Sequence, residues 1–115
     1  VPDAAAVFSL LGIARRARAA VDGQDRILAA ISGGQAKLVI VAVDAGLNGR
    51  KKMFDKTAYY HVPIVEFGGK AELGKAIGRR EAAAIAIVED GFAIKLRSRI
   101  GETLGGGAFD ENSSV

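Results

Sequence analysis

Positive charge gathers at the predicted loop ends of this chain, and that placement is its strongest chemical signal. Arg26 sits beside a glycine turn at Gly23, Arg50-Lys51-Lys52 opens a helix, Lys70 follows Gly68-Gly69, and Arg79-Arg80 follows Gly78. In an alternating α/β chain the loops at one sheet edge converge in space, and converging cations suit a phosphate backbone. Gly23 frees the backbone for positive φ, and Asp22 or Asp25 can cap the helix that follows. The exposed amides of such a helix start are a place where anions settle. For any single cluster the competing explanation is ordinary solvated charge; the recurrence at successive loops favours the binding reading.

Other candidate chemistry is weaker. Residues 69–76, GKAELGKA, nearly match the phosphate-loop pattern, but Ala76 stands where magnesium needs a hydroxyl and Gly78 cuts the following helix short. His61 precedes Val62-Pro63 with no serine, cysteine or carboxylate arranged to make it a base, so it reads as a helix-end residue. Asp44 follows an apolar run, a position where α/β enzymes place catalytic carboxylates. Without a second convergent acid it reads as a capping or loop residue. Tyr59 and Tyr60 are able to stack on bases, yet helical spacing from Phe54 favours half-buried packing for at least one. No acid/base pair or nucleophile constellation is present, and the chain reads as a non-enzyme.

The elements that must position these residues follow from periodicity. Residues 4–20 are alanine-rich with Val7, Leu10, Leu11 and Ala14 on one face, a helix whose terminal Arg15, Arg16 and Arg18 complement its dipole. After the Gly23 turn, Ile27, Leu28 and Ile31 give a short helix one apolar face, and Gly33-Gly34 end it. Residues 38–43 are a β-branched apolar run bounded by Lys37 and Asp44, which predicts a strand covered on both faces. A helix over residues 50–61 should turn Met53, Phe54, Ala58 and Tyr59 inward. Pro63 stops it and starts a strand over 63–67; a short helix over 71–77, a strand over 82–88 and a helix or strand over 92–99 follow. The two central strands are expected at 38–43 and 82–88. Strands alternating with helices imply an α/β fold, a three-layer α-β-α sandwich around a small mixed sheet. One domain is expected over residues 1–100, with the triple-glycine, polar stretch 101–115 a disordered tail.

Composition bounds the function class. The chain has 115 residues, no cysteine and one histidine, which excludes disulfides, thiolate metal sites and a multi-histidine centre. No metal or cofactor is called for. Half the residues are hydrophobic, yet no apolar run approaches the roughly 20 needed to span a bilayer. The N-terminus lacks signal-peptide character, which reads as a cytoplasmic protein. Residues 15–80 hold 13 Lys/Arg against 6 Asp/Glu, while the remainder runs acidic.

The segments LLGIARRARAAVDG, GGQAKLVIVAVD, KKMFDKTAYYHVPIVEF and ELGKAIG, in this order, resemble the kink-turn RNA-binding ribosomal-protein family, the L-seven-Ae group, in its bacterial YlxQ-type branch. The resemblance covers residues 4–96. It implies an α-β-α sandwich whose first strand and second helix present a G-x-N-E-x-x-K motif to tandem sheared G·A pairs beside a sharp RNA bend. A second loop, after an L-G-x-A-x-G segment, would pack against extruded bases. Gly23 matches the motif glycine, while Asp25, Arg26 and Ala29 stand at the Asn, Glu and Lys positions. Leu73, Gly74, Ala76 and Gly78 match the second segment, but Arg79, Arg80 and Glu81 replace residues that are commonly apolar.

The resemblance thus implies a monomeric binder of structured RNA, ribosomal or otherwise kink-turn-like, or of the ribosome itself, with no membrane contact. Gly23, Gln24, Asp25 and Arg26 would form the recognition turn, and Lys37, Lys51, Lys52, Lys70, Arg79 and Arg80 would meet phosphates. The other reading is a non-catalytic protein-interaction module of the translation apparatus that has lost RNA recognition.

Overall fold

The computed structural model describes residues 4–103. Helix α1 (Ala4–Arg16) leads to strand β1 (Ala20–Asp22), helix α2 (Gln24–Ser32), strand β2 (Leu38–Val41) and helix α3 (Leu47–Tyr60). Strand β3 (Ile64–Glu66), helix α4 (Lys70–Ala76), strand β4 (Ala84–Ile87) and helix α5 (Asp90–Thr103) complete the order. The sheet runs β1-β4-β2-β3, with β4 antiparallel to both its neighbours and β2 parallel to β3. It is the small mixed sheet that the sequence implies, and β2 and β4 are its central strands.

Period-two alternation sends the side chains of each strand to two separate cores. Leu38, Ile40, Ile85 and Ile87 pack beneath Leu11, Leu73 and Leu96, so α1, α4 and α5 form one layer. Val39, Val41, Ala84 and Ala86 face Ile27, Ile31 and Met53, so α2 and α3 form the other. Every residue of β2 and β4 is buried, as near-continuous apolar runs require.

Four expectations change. The first helix stops at Arg16 rather than residue 20, because Arg18 turns to φ 62° and reverses the chain into β1, whose Val21 pairs with Ala86. The second strand ends at Val41, and Val43 is exposed. On α3 it is Thr57, not Ala58 or Tyr59, that points inward. Its hydroxyl donates to the Met53 carbonyl at 2.8 Å, so burial leaves no polar atom unsatisfied. Residues 101–103, assigned to the tail, are the last turn of α5; the rest of that expectation, 104–115, lies outside the described residues.

Candidate functional site

The pairing register fixes which loops meet. Asp22 lies opposite Ile85, Val41 opposite Ala84, and Glu66 alongside Val41, so β1, β2 and β3 all end where β4 begins. The Gly23 turn, the segment before α3, the Gly68-Gly69 turn and the loop before β4 therefore share one edge of the sheet.

At this edge Gly23 has φ 90°, a conformation that costs an L side chain strain, and its carbonyl accepts the first bond of α2 from the Ile27 amide at 2.9 Å. Buried Ile27 and Ile31 seat α2 on the sheet, leaving Gln24, Asp25, Arg26 and Ala29 facing outward. No side chain caps α2. Asp22, a candidate for that role, is engaged elsewhere.

The Asp22 carboxylate accepts from Arg15 Nη1 at 2.6 Å and pairs with Arg79 Nε at 3.0 Å. It thus ties the end of α1 and the loop after α4 to the Gly23 turn. Burial pushes the carboxyl up, but the Arg15 hydrogen bond and the charges of Arg15, Arg79 and Arg26 outweigh it and hold the group below its ordinary 3.8. A depressed pKa contributes stability that is complete above the unfolded value and lost as pH falls through the folded one. The pairs are partly exposed, so Asp22→Asn is expected to cost about 0.5–1 kcal/mol at neutral pH. In denaturant melts at several pH values that difference should shrink below about pH 3.8. A difference constant down to the folded value would remove Asp22 from this role.

The loop after α4 is set by close packing. A Cβ on Gly74 would lie 2.3 Å from Glu81 Cα, so only glycine lets residues 79–83 fold back over the helix. Arg79 N donates to the Gly74 carbonyl at 2.8 Å and Ala82 N to the Lys70 carbonyl at 2.9 Å. Between this loop, the Gly23 turn and the start of α3 lies a cleft of about 370 Å³, lined by Gly23, Gln24, Gly46, Gly49, Arg50 and Glu81 among others.

Of the ten site residues taken from the sequence, Gly23, Gln24, Asp25, Arg26, Lys70, Arg79 and Arg80 come together at this edge. Lys51 and Lys52 lie just behind it on the first turns of α3. Lys37 does not join them: it precedes β2, its amide bonded to the Ile87 carbonyl, one strand length of about 13 Å away. The cations also differ in availability. Arg79 is held by Asp22, Lys51 by Asp55 at 2.6 Å, and Arg50 by Glu66 while its guanidinium lies 5.5 Å from the Phe54 ring centre. Arg26, Lys52, Lys70 and Arg80 make no ion pair among the described residues.

The sequence reading missed Arg15 and Arg18, which line a shallow groove with Arg26 on the outer side of β1. Only recognition of the strand at 20–22 could have moved them from helix-end charge to this edge. The near phosphate loop is helix α4 itself, its first amides taken by Glu72 at 2.9 Å and Asp44 at 2.8 Å. Asp44 is accordingly a cap, supplied from 26 residues away. His61 ends α3 in the left-handed conformation, an exposed helix-end residue.

One family model, that of the Ribosomal protein L7Ae/L30e/S12e/Gadd45 family, matches residues 5–97 and so spans every element from α1 to β4. The chain belongs to this family. RNA-binding protein YlxQ of Bacillus subtilis (strain 168) is 43% identical over 91 residues, 79% of this chain and 91% of that relative. A protein of unknown function from Bacillus halodurans superposes with TM-score 0.79 at 39% identity, covering 82% of this chain and 95% of that one. The Giardia lamblia 15.5kD RNA binding protein superposes with TM-score 0.73 at 23% identity, over 85% and 84% of the two chains, a likeness of fold. The family and its YlxQ branch are thus those that the sequence segments suggest. No described helix is long and apolar enough to cross a membrane.

Proposed function

We propose that this protein binds structured RNA, acting as a single copy and without catalysis, through the sheet edge that carries the Gly23 turn. The observation that carries the reading is convergence: a positive-φ glycine turn, an apolar-floored cleft and cations from three loops occupy one edge of a fold whose B. subtilis relative is named an RNA-binding protein. Arg26, Lys70 and Arg80 supply phosphate contacts, which set register, and the turn and cleft read the shape and splayed bases of a bent or bulged RNA. Arg79 is a strut that positions the loop through Asp22, with its remaining guanidinium edge free to face the ligand. The proposed ligand class is ribosomal or similarly kinked RNA in the cytoplasm.

Binding of this kind is salt-dependent because contacted phosphates release counterions. Titration of a bulged RNA at several salt concentrations is expected to give log affinity falling with log salt by about 0.7–0.9 per contacted phosphate, on the scale set by single-stranded and duplex DNA. Arg80→Gln should lower that slope by about one contact. Salt-insensitive binding, or none at low salt, would turn the reading toward a protein-interaction module.

A further inference from the structure

Helix α3 carries a feature that the Gly23 edge does not use. Lys52, Lys56, Tyr59 and Tyr60 fall at i, i+4, i+7 and i+8, one stripe of its outer face. Tyr59, expected inward, is 77% exposed; Tyr60 is 42% exposed, and their rings meet edge to face with centroids 4.9 Å apart. With Leu28 of α2 these residues line a shallow groove of about 420 Å³. Its one carboxylate, Asp55, is already engaged by Lys51, while Lys52 and Lys56 make no ion pair among the described residues. Two exposed rings flanked by two available ammonium groups match the two halves of a nucleotide: a base stacks on the ring and its phosphates meet the cations.

We propose that this groove is a second RNA contact, holding an unpaired base and the adjacent phosphates of a single-stranded segment that leaves the Gly23 edge and runs along α3. The inference rests on the RNA-binding reading of that edge and extends it. Geometry supports continuity: α3 starts at the edge, Lys52 lies on its second turn, and Tyr59 follows about 10 Å further along the axis. A protein partner is the poorer occupant, since two rings and one partly buried leucine offer little of the apolar core a stable interface needs.

The sequence makes the contact observable, because it contains two tyrosines and no tryptophan. Intrinsic fluorescence therefore reports on this groove alone. The experiment titrates the full chain with a bulged duplex, with the same duplex carrying a short single-stranded uridine extension, and with a free oligouridylate. The extension is expected to tighten binding about fivefold or more and to quench tyrosine emission. Tyr59→Ala should abolish that gain, Tyr59→Phe should keep it, and Lys56→Gln should reduce it, all leaving affinity for the unextended duplex unchanged. An extension without effect on the wild type, or a gain that survives Tyr59→Ala, overturns the proposal. If the unextended duplex fails to bind, the reading of the Gly23 edge fails. The groove then stands only if oligouridylate quenches the wild type and binds Tyr59→Ala more weakly, and falls if it does not. A partner protein lost from Tyr59→Ala with every RNA affinity unchanged would assign the groove to protein docking instead.

Discussion

Truncation of Ile40 or Ile87 to alanine is expected to cost about 2–5 kcal/mol, the range for deleting a fully buried branched side chain from a packed core. Both side chains have no exposed surface. Ile40 lies opposite Ile85, and Leu38 opposite Ile87, so the two β4 isoleucines and the two β2 residues form one continuous layer beneath α1, α4 and α5. A cavity there cannot be filled by one helix shifting alone, because three helices rest on the same four side chains. Domain stabilities are typically about 5–15 kcal/mol, so either change removes a large share. Ile94→Ala is the internal control: the residue is 68% exposed on α5 and its loss should stay within about 0.5 kcal/mol. Denaturant melts of the three variants decide the matter. A core variant within about half a kcal/mol of wild type would mean that its strand does not lie at the centre of the sheet.

The centre of the fold is legible in the sequence because β2 and β4 need no context. Apolar β-branched runs bounded by charge and turn residues have few other places to go, and the register then collects the loop-end cations at one edge. What is illegible depends on partners distant along the chain. Strand β1 has three residues and follows an alanine-rich helix without a glycine or proline between them. Its existence rests on pairing with β4, more than 60 residues later. Thr57 looks like a surface residue until its hydroxyl is seen to bond back to the preceding turn. Asp22 looks like a cap because Arg15 and Arg79, its actual partners, approach from two separate elements. The same blindness placed Lys37 with the other cations: charge at a strand's start and at its end look alike in one dimension but face opposite ends of the sheet. Spacing from Phe54 points Tyr59 inward, yet the buried stripe of α3 is Met53 and Thr57, which turns that ring out.

Under the proposed function, the triple change Asp25→Asn, Arg26→Glu, Ala29→Lys is expected to tighten binding to a standard kink-turn RNA by at least tenfold, about 1.4 kcal/mol. By the resemblance of the sequence segments the three positions correspond to the Asn, Glu and Lys of the family motif; all are exposed on the first turns of α2, whose seating by Ile27 and Ile31 the changes leave alone. The motif Glu accepts hydrogen bonds from a base edge; Arg26 has only donors and cannot. Asp25, as a carboxylate, lacks the amide donor of Asn and repels nearby phosphates, and Ala29 removes a cation. One good bidentate base contact regained is worth about 1–3 kcal/mol on the DNA scale, enough by itself for the expected gain. The exchange also has a cost within the protein. Arg26 is one of the charges that hold Asp22 ionised, so a glutamate there weakens the node joining the turn to the loop after α4. Melting the variant alongside wild type separates that effect from the change in recognition. The proposal is therefore that the native turn grips a standard kink-turn weakly and uses its arginines on a different or looser fold of RNA. Both proteins are titrated against one kink-turn and a mutant without its G·A pairs. If the wild type already binds tightly and loses that binding with the G·A pairs, the proposal falls. Recognition would then lie in the Gly23 backbone and the adjoining cleft rather than in the three side chains.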